Sequence, residues 1–324
     1  MIWLTWRQQR FEAALTAAAV GVGIAVLLLT RQAIVADFNA LGIANCLRGL
    51  GDANSCANAY QAFKDNFASQ QTLIGALTYL PMLVGVLLGA SIAVEMEQGA
   101  YRLAWAQSVT RWRWVFPRLG LPVIAGLVLT GAVAGVTTWW MQPANSVQGP
   151  VRPGAFDIEG MLPMAYMLLA FAITAATGVL WRRTVPAVGL GLAGGVGIHL
   201  LIENLLRAHL MAPLSAAWRS GAAPYSAQDW VIQGGAGASS YVYIDSAGHR
   251  MGLEQVQQIC GQVVGAQSKD AWASCLRSHH LAELVSWQPA GRFWPLQTLE
   301  SALVVATAFA LLFLAVWWLR TRTA

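Results

Sequence analysis

Leu73-Ile-Gly-Ala-Leu-Thr-Tyr-Leu-Pro-Met-Leu-Val-Gly-Val-Leu-Leu-Gly-Ala-Ser-Ile-Ala-Val94 carries no charge and ends abruptly at Glu95. It is about as long as the roughly 20 residues a helix needs to cross the hydrocarbon of a bilayer. It shows no period-2 alternation and is too long for a barrel strand. Five further runs share these properties: Ala13–Thr30, Leu121–Trp140, Met161–Trp181, Val185–Ile202 and Ser301–Leu319. The composition agrees, with 56% hydrophobic and only 11% charged residues, where a soluble domain carries roughly 25% charged. The expected fold is an all-α integral membrane protein with six transmembrane helices. Met1–Glu12 lacks the form of a cleavable leader, so the first run is expected to be a retained helix.

Orientation is read from arginine. With the N-terminus inside, the short inner segments hold Arg7, Arg10, Arg102, Arg111, Arg113, Arg118, Arg182, Arg183, Arg320 and Arg322. The other basic residues are spread over much longer segments, so the positive-inside rule puts both termini in the cytoplasm. Cys46, Cys56, Cys260 and Cys275 then all fall outside, where disulfides persist. Of three connectivities, the local pairs Cys46–Cys56 and Cys260–Cys275 are the natural choice. The expected organisation is helices one to five with a cytoplasmic loop 95–118 in residues 1–206, an extracellular domain in 207–298, and the sixth helix with a cytoplasmic tail in 299–324. Within the external part, Gly234–Ser240 reads as a flexible loop, Tyr241–Arg250 as a hairpin and Leu253–Val285 as helical.

Catalytic motifs are missing from the sequence. No Gly-Lys pair exists for a phosphate-cradling loop, and there is no H-E-x-x-H and no G-x-S-x-G. Gly189-Leu-Gly191-Leu-Ala-Gly194 matches a dinucleotide fingerprint only on paper, since no strand precedes it. Close helix packing explains it better, as for the small-xxx-small pairs Gly85/Gly89, Gly131/Gly135 and Gly191/Gly195. Basic residues clustered between apolar runs argue against nucleic acid. No catalytic residue, metal site or cofactor is expected in this chain, and an embedded acyltransferase would lack its acid, base and nucleophile. His199, Glu203 and Arg207 follow one another at i, i+4 and i+8, which predicts a polar stripe near the outer end of the fifth helix, with Arg207 snorkelling. Intramembrane ionisable groups tend to face a cavity, so His199 and Glu203, with Tyr79 and Met82, are candidates for lining a transport path.

The inner loop Glu95-Met-Glu-Gln-Gly-Ala-Tyr-Arg-Leu-Ala-Trp-Ala-Gln-Ser-Val-Thr-Arg-Trp-Arg-Trp-Val-Phe-Pro-Arg118 reads as one or two interfacial helices offered to the cytoplasm. Its acidic pair Glu95 and Glu97, Gly99, Leu103, Val109-Thr110-Arg111 and Arg118 resemble the first cytoplasmic loop of permease subunits of second-class ABC exporters, which move drugs, peptides and polysaccharides. Ala100 and Ser108 stand where that family has Thr and Pro. The Arg-Leu-Ala-Trp stretch, Trp3-Leu-Thr-Trp-Arg-Gln and Gln288-Pro-Ala-Gly-Arg-Phe-Trp-Pro-Leu-Gln297 look like the actinobacterial branch. The resemblance implies a half-transporter in the bacterial plasma membrane that pairs with a second copy or a homologous permease. Met1–Phe11 would form a connecting helix, and Glu95, Glu97, Gly99, Arg102 and Arg111 would couple to a separate ATPase that binds ATP and Mg. The implied cargo is amphipathic or hydrophobic, a drug, antibiotic, lipid or peptide. The competing expectation is a membrane sensor or scaffold whose external domain binds a ligand.

Overall fold

The computed structural model describes residues 2–99, 111–219, 223–235, 240–260 and 269–322. Six of its helices are long and apolar enough to cross a membrane, within Gly21–Ala40, Ala53–Glu97, Pro117–Gln148, Leu162–Trp181, Thr184–His209 and Ala290–Leu319. The chain divides into two compact units, one of residues 1–144, 153–204 and 297–324, the other of residues 145–152 and 205–296.

The first unit is helical. Its elements are α1 (Ile2–Ala40), α2 (Ile43–Leu47), α3 (Ala53–Phe67) and α4 (Gln71–Glu97). They are followed by α5 (Arg111–Gln148, its last residues in the second unit), α6 (Ala155–Ile158), α7 (Leu162–Trp181), α8 (Thr184–Leu201) and a last long helix, Phe293–Arg322, whose first four residues belong to the second unit. Residues 2–11, for which the resemblance implies a connecting helix, are helical and run on into the first span: Ile2–Ala40 is one helix, with no proline in it to remove a backbone donor. The segment after it is also helical rather than a plain loop. Asp52 caps α3, its carboxylate accepting from Ser55 N at 2.9 Å, and hydrogen bonding from the Ser55 side chain and then its backbone holds the Asp52 carboxyl below its ordinary range. Cys46–Cys56 staples α2 to α3. A side chain at Gly51 would run into Cys56 Sγ at 2.5 Å. Phe38, Phe63, Phe67 and Trp140 continue the packing as ring contacts 5.8–6.2 Å apart.

Helix α7 is the centre of this unit, with 72% of its apolar window buried against 11% in α1. It packs most extensively on α4 and next on α8. Small residues make this possible, since helices in lipid gain nothing from hiding apolar surface and must gain by close approach. A Cβ at Gly85 would collide with the Met167 carbonyl oxygen, one at Gly89 would lie 2.9 Å from Thr174 Cβ, and one at Gly178 2.6 Å from Ala93 Cβ. Gly191 closes on the Thr174 hydroxyl in the same way. The third glycine pair behaves differently: Gly131 approaches Met164 Sδ at 3.2 Å, and Gly135 has open space.

The second unit is built around an antiparallel sheet. Its strands are β1 (Leu214–Trp218), β2 (Trp230–Gln233), β3 (Val242–Ile244), β4 (Arg250–Gly252) and β5 (Ala282–Gln288). β1 lies along one edge of β5 from Leu214↔Trp287 to Trp218↔Glu283, while β2 and β3 share the other edge. β3 and β4 form the expected hairpin, turned by Asp245, whose carboxylate accepts from Ala247 N and His249 N. The uniform helix expected over Leu253–Val285 is corrected. Its described parts are α9 (Leu253–Cys260) and α10 (Lys269–Ser278), and the chain then turns at His280, φ 54°, into β5. Buried on most of its length, β5 lacks the alternation that would have marked it as a strand.

Cys260–Cys275 joins α9 to α10 over a small core of Tyr243, Val256, Leu276 and Leu281, with Trp272 against it. Burial there pushes the Tyr243 phenol up to about 12. The closed loop spans a separation of 15 residues, and constraint of the unfolded chain by a loop of that size is worth about 3 kcal/mol. The double replacement Cys260→Ser with Cys275→Ser should therefore expose this unit to limited proteolysis while the helical unit stays resistant. Equal protease resistance of the variant and the parent would refute the assignment of stability to the bridge.

Candidate functional site

Two regions of the helical unit gather the residues singled out from sequence. At one end, Glu95 and Arg118 form an ion pair between α4 and α5, both side chains about 15% exposed. Two residues on, Glu97 Oε2 accepts from Thr184 N at 2.8 Å, so α4 supplies the N-terminal cap of α8, which has no side-chain cap of its own. Gly99, φ 69°, ends the α4 turn in the left-handed conformation that glycine adopts without strain. Arg102 lies outside the described residues, and Arg111 opens α5 with its side chain outside them. Glu95, Glu97 and Arg118 thus tie together the described end of α4, the first turns of α5 and the start of α8. The sequence pointed to Glu95 and Glu97 as partner contacts; in the structure each is engaged by this chain's own backbone or side chain.

The second region is a buried polar cluster around His199. The imidazole, 1% exposed, meets the Tyr166 ring edge-on at 4.9 Å and the Tyr79 ring at 5.9 Å. Met82, also 1% exposed, lies one helical turn away, its Sδ 3.9 Å from where a Cβ of Gly195 would be. Tyr79, Met82, His199 and Glu203 therefore lie in one region of the helical unit. Arg207 departs from the expected stripe. The chain leaves α8 through a π-helical turn at Ile202–Leu206 and a 3-10 turn at Arg207–His209, which breaks the i, i+4, i+8 register. Arg207 is fully buried and does not snorkel.

Sequence reasoning missed the residues that close this cluster. Tyr166 donates to Glu300 Oε1 at 3.0 Å, and Glu300 is fully buried. Gln297, also fully buried, accepts at Oε1 from Met161 N and Leu162 N, and donates through Nε2 to Phe156 O and Glu159 O. One side chain thus satisfies the orphan donors at the start of α7 and the carbonyls at the end of α6. Gly160, φ 65°, allows the turn, and a Cβ there would press on Gln297 Oε1 at 2.9 Å. Asp157, 5% exposed, faces the same region, with one oxygen of Asp157, one of Glu203 and a ring nitrogen of His199 all within 4.8 Å of one another. Gln297→Leu would strand these four backbone groups, each costing about 1–3 kcal/mol when buried unpaired. The expected result is a melting temperature lowered by several degrees, read by thermal unfolding in detergent, with Gln297→Glu milder because its carboxylate keeps the acceptors.

A third feature is a groove of about 540 Å³ between α1 and α5, lined by Leu28, Arg31, Gln32, Val35, Ala36, Asn39 and Trp139. The Arg31 guanidinium lies 3.7 Å from the Trp139 ring centroid and donates to the Trp139 carbonyl. The groove is apolar along one wall and cationic at one point, the mixed character that suits an amphipathic molecule.

A family model described as ABC-2 membrane transporter related matches residues 17–207, more than half of the chain. The chain belongs to that family. As an ABC-2 membrane protein it is a multi-pass membrane subunit of an ABC transporter, in a class whose permeases work with an ATPase subunit. The family match covers both polar regions of this ABC-2 protein up to Arg207; Gln297 and Glu300 lie beyond it. Comparison with curated proteins and with solved structures returned no match.

Proposed function

We propose that this chain is the membrane half of an ATP-driven exporter that moves an amphipathic or hydrophobic compound out of a bacterial cell. The single observation that carries the reading is the pair of ties at the helix ends that flank residues 100–110. Glu95 holds α4 to Arg118 of α5 and Glu97 holds α4 to the start of α8, so a push delivered between α4 and α5 would reach three helices at once. In this reading both termini and the 95–118 loop are cytoplasmic, and docking to the ATPase falls to Arg102 and Arg111. Glu95, Glu97 and Gly99 set the loop's posture. ATP and Mg are held by the partner, whose two nucleotide states have different affinities for the loop and so bias inward against outward conformations. A second copy or a homologous permease completes the path, membrane lipid surrounds the pair, and the unit of residues 205–296 lies outside the cell, where its disulfide is kept oxidised.

The His199 region and the Arg31 groove supply the two polar contacts that an otherwise apolar path offers to a cargo's polar end. Antibiotics, lipids and peptides with one charged or hydroxylated end fit that chemistry. The test is co-expression with candidate ABC ATPase subunits from the same genome, followed by purification in nanodiscs. The expected outcome is a complex with equal copies of permease and ATPase and hydrolysis stimulated by amphipathic compounds. Recovery of a kinase with no ATPase would replace the transporter with a membrane sensor.

A further inference from the structure

We propose that Asp157, His199 and Glu203 bind a divalent first-row metal ion of the zinc type. His199 is 1% exposed, yet among the described residues neither of its ring nitrogens has a hydrogen-bond partner. A buried imidazole normally settles its tautomer by donating from one nitrogen and accepting at the other. Here Nε2 points at Glu203 Oε2, 3.4 Å away, too long and poorly directed for a good hydrogen bond. That separation has another meaning. Two donors on a tetrahedral ion with bonds of about 2.0–2.1 Å stand about 3.3 Å apart. The third donor, an Asp157 oxygen, lies within 4.8 Å of both, so a side-chain adjustment of at most about 1.5 Å toward the others would complete three corners of a tetrahedron.

The backbone supports the same assignment. Glu203 lies on the π-helical turn Ile202–Leu206, a distortion that is rare and found frequently at functional sites. Gly154 N donates to Asp157 Oδ2 at 3.1 Å and so orients the carboxylate, as outer contacts do for metal ligands. Tyr79 and Tyr166 hold the His199 ring by its edges. Imidazole in the set favours zinc, cobalt or nickel over magnesium or calcium. Glu203, whose side chain is 24% exposed, is the open side by which an ion would enter. Bound there, the ion ties the α6 turn to the end of α8.

The inference stands apart from the transport reading, because it is measured on the purified full-length chain without an ATPase. Tag-free protein in detergent, stripped with chelator and dialysed against zinc, should retain one zinc per chain and melt several degrees higher than the stripped form. Cobalt in its place should give the visible absorption bands of a tetrahedral or five-coordinate ion. Asp157→Asn and His199→Gln should each lose the retained zinc and the thermal shift, while the exposed pair His279→Gln with His280→Gln keeps both. Wild-type protein that retains no zinc and gives only the hexaaquo cobalt spectrum would overturn the proposal. So would zinc retained in full by His199→Gln, or lost with the His279 and His280 substitutions.

Discussion

Gly85→Leu should leave almost no folded protein in the membrane, whereas Gly135→Leu, at a position of the same residue type and spacing, should accumulate normally. The Gly85 Cβ would be driven into the Met167 carbonyl and toward Phe171 N, both backbone atoms of α7 that cannot rotate away. Overpacking a well-filled core costs about 1–3 kcal/mol even where side chains can adjust. Here the cost falls on the seam that joins the central helix to α4, and it prevents the approach on which packing in lipid depends. At Gly135 nothing lies within 4 Å. The measurement is the monodisperse fraction in detergent by fluorescence-detected gel filtration. Equal recovery of the two variants would show that the α4–α7 seam does not limit assembly.

Arg118→Glu should abolish ATPase stimulation and lower stability, and Glu95→Arg placed in the same chain should restore much of both. The two side chains are mostly buried and face each other between α4 and α5. Removing one partner of a buried pair costs about 3–5 kcal/mol, because the survivor is left as an uncompensated charge. Substitution by a like charge adds repulsion, while the swapped pair re-forms the attraction with its geometry altered. A double-mutant cycle on thermal unfolding isolates the pairwise energy. The same cycle on hydrolysis by the assembled complex tests whether the tie between α4 and α5 governs coupling. A swap that restores stability without hydrolysis would confine the pair to a structural role.

How far the sequence reached depended on the physics behind each feature. The spans were legible because an uncharged run of the right length has few alternatives to crossing hydrocarbon. The close approaches at Gly85, Gly89 and Gly191 were legible because only glycine permits them, but spacing alone also nominated Gly135, which packs on nothing. The disulfide pairs followed from proximity along the chain. Hidden were features whose meaning depends on distant partners. β5 has no period-2 pattern because both of its faces are covered for much of its length. His199 and Glu203 showed themselves by their i, i+4 spacing, but Asp157 joins them only through the turn before α7. Gln297 stood in a quoted stretch of sequence, yet nothing local marks an amide that will satisfy backbone groups from residues 156 to 162.

Helix α1 runs unbroken from Ile2 to Ala40, which at 1.5 Å per residue makes a rod of about 58 Å. The hydrocarbon layer is only about 30 Å thick, so such a rod has arm to spare on either side. A tilt of about 10° applied at one end of a rod that long displaces the other by about 10 Å. The displaced end leads into α2 and α3, which the Cys46–Cys56 bridge staples together, so the two would be carried as one piece. A small angular change at one membrane face would then arrive at the other as a translation the width of a helix.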